Sequence, residues 1–327
     1  MPAHTPMIAD FYQKLAETLR SQAVVVATVV EIHGSVPREV GAKMLIGADW
    51  SFDTIGGGAG EAKIITQGRT VLATGQKQRA TIDLTGDVST LKEGICGGQM
   101  GIWLERWSGL EALTLAQALT QALERGERVP LFTPFSTAGT PSIADSPPAT
   151  TGTRLLAAGF FEWLSPRPLL LIVGAGHVGE ALAQAAYLAG FQIAVQDERG
   201  EFANARSYPQ ASLILTEPID RALPRVKQYD SLFVALVSRG YPFDVAALSS
   251  IFQQQIVCCY IGMMGARKRI ELVRQSLVRQ GISKTQLDQI HAPIGADIGA
   301  LTPGEIAVSI CAELIQVRRT ANPSCDG

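Results

Sequence analysis

The chain has 327 residues, beyond the roughly 250 to 300 at which a single core usually divides, so two domains are expected. Apolar residues make up 46% and charged residues 18%, below the roughly 25% of an average soluble domain, which suits an α/β protein with a covered sheet and excludes a disordered chain. With 28 basic against 30 acidic side chains and a net charge of -2, nothing draws the protein to nucleic acid or an anionic membrane, and a small molecule or another protein is the expected partner.

The opening MPAHTPMIAD lacks a basic segment followed by an apolar one, so no secretory signal and a cytoplasmic address are expected. Ile8, Phe11, Tyr12, Leu15 and Leu19 then recur at helical spacing, with Asp10 and Arg20 placed to complement the helix dipole. The β-branched run Ala23 to Ile32 predicts a buried strand, far short of the roughly 20 residues of a membrane span, and His33-Gly34 breaks it. A hairpin is expected from Met44 to Ile46 and Phe52 to Ile55, followed by the triple glycine Gly56, Gly57, Gly58 and a helix over 59 to 73. Strands at 81 to 84, 102 to 104 and 129 to 132 and a helix at 111 to 124 complete a mixed first domain.

From about residue 134 to 153 the composition shifts to Ser, Thr, Pro, Ala and Gly, the signature of a linker or exposed hairpin, and the domain boundary is placed near Pro166, giving domains 1 to 165 and 166 to 327. Beyond it, strands at 169 to 173, 192 to 196, 213 to 216, 232 to 237 and 256 to 261 alternate with helical segments and predict a parallel sheet. Thr302-Pro303-Gly304-Glu305 reads as a capping box that opens a last helix ending at Arg318-Arg319.

Gly174-Ala-Gly176-His-Val-Gly179 follows a strand and opens a helix, and Asp197 ends the next strand, the context that a dinucleotide fingerprint requires. Asp197 could accept from ribose hydroxyls and would repel a 2′-phosphate, so NAD is the nicotinamide nucleotide expected there; His177 could touch phosphate or simply cap the helix. The glycines could alternatively serve packing alone, and binding is the favoured reading. The triple glycine leads straight into a helix N-terminus, a geometry that suits an anion. Arg38 could add a bidentate fork for phosphate.

Five cysteines with no Cys-x-x-Cys pair imply reduced thiols. Cys96, between glycines, could be an accessible ligand or an inconsequential turn residue. Cys258, Cys259 and Cys311 are expected in the core, and Cys325 in the tail is incidental.

The segments GSVPREVGAKMLI (34 to 46), TIGGGAGE (54 to 61) and CGGQMGIWLE (96 to 105) resemble the blocks of the xanthine dehydrogenase accessory factor family, XdhC/CoxI. So do VGAGHVGEALA (173 to 183), VQDERGEFANARSYP (195 to 209), YIGMMGARKR (260 to 269) and HAPIGADIGALTPGEIAVSICAELI (291 to 315) in the second half. The resemblance implies an N-terminal XdhC/CoxI-like mixed α/β domain and a C-terminal Rossmann-like domain. It further implies a carrier of molybdenum cofactor (molybdopterin) that supports sulfuration by a cysteine desulfurase and delivers the cofactor to a xanthine-dehydrogenase-type molybdenum hydroxylase, often as a homodimer.

Matched position by position, the implied site is Gly34, Ser35, Arg38, Gly56, Gly57, Gly58, Glu61, Cys96, Gly97 and Gly98, with Cys96 as metal ligand. Many relatives carry cysteine where this chain has Ala59, and histidines where it has Ser238-Arg239-Gly240-Tyr241. No tyrosine is followed by lysine four residues on, and the acid-base groups of a dehydrogenase are not evident, so a chaperone without turnover is expected rather than a catalyst. The alternatives are an NAD-dependent oxidoreductase and a nucleotide-binding scaffold.

Overall fold

A computed structural model describes residues 8–84, 97–145 and 152–320. The chain forms two compact units, Met1–Pro166 and Arg167–Gly327, and each hydrophobic cluster draws its side chains from one unit alone.

In the first unit, helix α1 (Ile8–Leu19) leads into β1 (Val24–His33), β2 (Lys43–Ile46), β3 (Ser51–Phe52) and helix α2 (Gly58–Thr74). Then come β4 (Gln78–Asp83), β5 (Gln99–Trp107), helix α3 (Gly109–Glu124), β6 (Val129–Pro134), β7 (Ser142–Ile143), β8 (Arg154–Leu156) and β9 (Gly159–Leu164). An antiparallel sheet in the order β3-β2-β1-β5-β4 is its centre. Strand periodicity divides β1: Val24 and Val26 pack toward α1 and α3, while Val25, Ala27 and Val29 pack with Ile64 and Val71 of α2. A second antiparallel sheet, β7-β6-β9-β8, takes up part of the stretch expected as linker or exposed hairpin.

The expected strand to Ile55 stops at Phe52 because Asp53 takes a left-handed conformation (φ 66°) that ends pairing. Strands β4 and β5 run longer than predicted, since Arg79 and Gln99 pair across the sheet edges that local propensity leaves undefined.

The second unit places β10 (Leu169–Val173), helix α4 (His177–Leu188), β11 (Gln192–Gln196), β12 (Ala211–Leu215) and helix α5 (Ile219–Ala222) in succession. Strand β13 (Leu232–Leu236), helix α6 (Tyr241–Gln253), β14 (Tyr260–Met263), helices α7 (Arg267–Arg279) and α8 (Lys284–Leu287), β15 (Ile290–His291) and helix α9 (Pro303–Thr320) follow. All six strands are parallel, ordered β12-β11-β10-β13-β14-β15. Leu169 and Leu171 face one helical layer and Leu170 and Ile172 the other, which is why this strand reads as an unbroken apolar run. Strand β14 begins at Tyr260, four residues later than the run 256 to 261 suggests, so Cys258 and Cys259 lie in its approach and are half-buried rather than core; Cys311 is buried. No helix among the described residues is long and apolar enough to cross a membrane.

Candidate functional site

Three glycine-bearing segments of the first unit meet at one end of the larger sheet. Gly34 (φ 70°) ends β1, and a Cβ placed on it would lie 2.8 Å from the Gly97 carbonyl oxygen; one on Gly98 would lie 2.5 Å from the carbonyl oxygens of both His33 and Ser35. Only bare backbone fits between the two loops. The third segment joins through Gly56, whose added Cβ would stand 2.6 Å from the Pro37 ring. Gly57, Gly58 and Gly97 have no atom within 4 Å of such a Cβ, so their outward sides face open space. Gly34, Ser35, Gly56, Gly57, Gly58 and Gly97 are exposed and Gly98 is buried. Cys96 lies outside the described residues.

Glu61, in the first turn of α2, is directed into the loop. Its Oε2 accepts from the Thr54 hydroxyl at 2.5 Å, the Ile55 amide at 3.0 Å and the Gly57 amide at 3.1 Å, while the Gly56 amide donates to Thr54 Oγ1 at 3.0 Å. The loop thus carries its own internal anion, and the amides remaining for a ligand begin at Gly58, the first residue of a helix with no side-chain N-cap. Beside them, Arg38 Nη2 stands 3.8 Å from Asp53 Oδ1, an ion pair longer than a hydrogen bond. Burial pushes the Asp53 carboxyl up and Glu61 adds to this; the Thr54 amide and Arg38 oppose without cancelling it. Asp53 and Thr54 escape a sequence reading, since their roles exist only once Glu61 folds back; a polar pair just before a triple glycine is the one available signal.

In the second unit the strand order reverses between β10 and β13, where an open parallel sheet leaves a crevice at its carboxyl ends. A cleft lies there, lined among others by Gly174, Asp197, Ile219, Ser238, Arg239 and Phe243. Gly174 (φ 113°) packs within 2.8 Å of Ser238 Cα as judged from an added Cβ, and one on Gly179 would collide with the Gly174 carbonyl; Gly176 alone is open. His177 is exposed at the first position of α4.

Asp197 is engaged by the protein itself. Arg199 donates to it through Nε at 2.9 Å, Nη2 at 2.8 Å and its amide at 3.1 Å, and the Ala175 amide donates at 3.0 Å. Burial pushes its carboxyl up, but the Arg199 side chain and the two amides outweigh that and hold it below the ordinary carboxylate range. Arg199 escapes a sequence reading, although the Asp-x-Arg spacing is its signal. Among the described residues no cluster of three or more His, Cys, Asp or Glu side chains could hold a metal ion.

The model of the XdhC and CoxI family matches residues 19–83, and that of the XdhC Rossmann domain matches residues 170–314. The chain is 28% identical to YqeB of Escherichia coli (strain K12) over 90% of its length and 43% of that protein. It is also 28% identical to a Bacillus subtilis (strain 168) protein named as a probable xanthine dehydrogenase subunit, over 49% of its length and 46% of that protein, so it spans less than half of either of these two relatives. Identity to the molybdenum cofactor insertion chaperone PaoD of Escherichia coli (strain K12) is 24%, over 92% of this chain and 85% of that one. A crystal structure from Bacillus halodurans, described as a xanthine dehydrogenase, shares the fold with a TM-score of 0.81 at 23% identity, covering 97% of each chain.

Proposed function

We propose a function from one premise, that the chain belongs to the XdhC and CoxI family: it acts as an accessory factor that holds molybdenum cofactor for a xanthine-dehydrogenase-type molybdenum hydroxylase. The observation that carries this reading is the similarity to a molybdenum cofactor insertion chaperone along 92% of this chain and 85% of that one.

The first unit has the chemistry the cofactor asks for. Molybdopterin carries a terminal phosphate, and the amides from Gly58 onward at the start of α2, together with Arg38, are donors suited to it. The open space around Gly57, Gly58 and Gly97 lets a ligand approach backbone directly. Cys96, adjoining Gly97, is a soft donor suited to a dithiolene-bound metal. When bound, the group supplies the metal centre of the recipient enzyme; the residues here bind and shelter it, without turnover of their own.

The finer parts of this reading rest on family resemblance: sulfuration by a partner cysteine desulfurase, delivery to one recipient enzyme, a homodimer and a cytoplasmic site of action. The test of the central claim is to purify the protein from cells that make the cofactor and measure pterin fluorescence and molybdenum content. Wild-type protein should co-purify with both, and Arg38→Ala or Gly58→Asp should lower both at least tenfold. Folded wild-type protein free of pterin would overturn the reading.

A further inference from the structure

The second unit's cleft has a ligand preference of its own, independent of the first unit's site. An ionised carboxylate offers about four lone-pair sites. At Asp197 all are in use: Oδ1 accepts from the Arg199 amide and Nε, and Oδ2 from the Ala175 amide and Arg199 Nη2. A ribose diol can donate to this carboxylate only by displacing a bidentate guanidinium, which also lies 4.2 Å from the centre of the Phe202 ring. The acceptors that the sequence pattern promises at this position are therefore already engaged.

A second donor comes from the end of β13. Arg239 lines the cleft, as Glu198 also does, with its guanidinium 4.4 Å over the Phe243 ring and no carboxylate partner among the described residues. Its loop is fixed from beneath: Ser238 Oγ donates to the buried Asp244 at 2.7 Å, Arg269 Nε donates to the same carboxylate at 2.7 Å, and Arg269 Nη2 donates to the Ser238 carbonyl at 3.1 Å. Ile219, Phe243 and Ala246 supply apolar lining. Such a wall suits adenine, whose ring carries a single donor group. Gly176, open to solvent at the start of α4, leaves room for a 5′-phosphate at the helix N-terminus.

We propose that this cleft binds an adenine nucleotide carrying an additional phosphate on its ribose, with the lining Arg239 as one phosphate ligand and Arg199, bonded to the lining Asp197, as the other. The Asp197–Arg199 pair is the selectivity device: it blocks the acceptor that a free ribose diol needs and presents charge-assisted donors instead. The two biological sources of this chemistry, 2′-phosphorylated dinucleotides and 3′-phosphorylated nucleotide carriers, share that requirement and differ in the isomer.

The test is calorimetric titration of the full chain with 2′,5′-ADP, 3′,5′-ADP and 5′-AMP. One of the two bisphosphates should bind at least tenfold more tightly than 5′-AMP, about 1.4 kcal/mol, and the better isomer identifies the source. Arg239→Gln should shrink that ratio. Arg199→Ala should reverse it, because Asp197 becomes free to accept from ribose hydroxyls, a change that loss of structure would not produce. Wild-type protein that binds 5′-AMP equally or better, or none of the three, overturns the proposal, as does a folded Arg199→Ala variant with an unchanged ratio.

Discussion

Glu61 illustrates how one side chain decides what a loop can offer. Its carboxylate satisfies the Ile55 and Gly57 amides and the Thr54 hydroxyl. Glu61→Ala should therefore destabilise the protein by about 1–3 kcal/mol, the cost of leaving partly buried donors unpaired, with Glu61→Gln milder; urea denaturation followed by circular dichroism measures both. Lys43 and Glu162 form a buried ion pair at 2.6 Å, with Lys43 Nζ also donating to Thr28 at 3.5 Å. Burial pushes the Glu162 carboxyl up and Lys43 pulls it back only in part. Lys43→Met alone should cost about 3–5 kcal/mol because it strands a buried carboxylate, whereas Lys43→Met with Glu162→Leu should recover most of that loss.

Also at this scale, Asp197 sets an acid dependence. Its folded-state value lies below the ordinary carboxylate range, so the lock with Arg199 contributes stability at neutral pH that is lost as pH falls below about 4 toward the lowered value. Thermal melts across that interval should show a shallower acid limb for Arg199→Ala than for wild type.

Elements meet here through backbone, and glycines divide into those required by a neighbour and those required by their own dihedral. Gly98 has carbonyls of His33 and Ser35 on its Cβ side, while Gly97 (φ 70°) has nothing there. Gly98→Ala should thus separate β5 from the end of β1 and cost well over the roughly 1–2 kcal/mol of left-handed strain expected for Gly97→Ala. Equal losses measured by denaturant titration would mean that the two loops do not touch in solution. The same distinction holds in the fingerprint, where Gly174 and Gly179 serve packing and Gly176 alone stays open.

For the molecule as a whole, the separation of the hydrophobic clusters makes a prediction about cooperativity. Every buried residue of the two clusters flanking the parallel sheet comes from Leu169 to Leu314. Residues 167–327 expressed alone should unfold in one cooperative transition by far-ultraviolet circular dichroism; a broad, non-cooperative melt would show that the unit borrows stability from the rest of the chain.

Sequence by itself determined the class of fold. Apolar runs separated by helical periodicity dictate a parallel sheet, because a strand covered on both faces has no polar face to show, and the placing of Gly174 to Gly179 between strand and helix follows from local geometry alone. It also indicated which loops are rich in glycine. What only the tertiary structure decided is where the hydrogen bonds go. Whether an amide or carboxylate is free depends on which side chain folds back onto it, and Glu61 and Arg199 lie four and two residues from their targets Gly57 and Asp197 with several rotamers open to each. Packing of the surrounding elements selects among those rotamers, and so converts an expected anion loop into one with a built-in anion, and an expected free carboxylate into one engaged by a guanidinium.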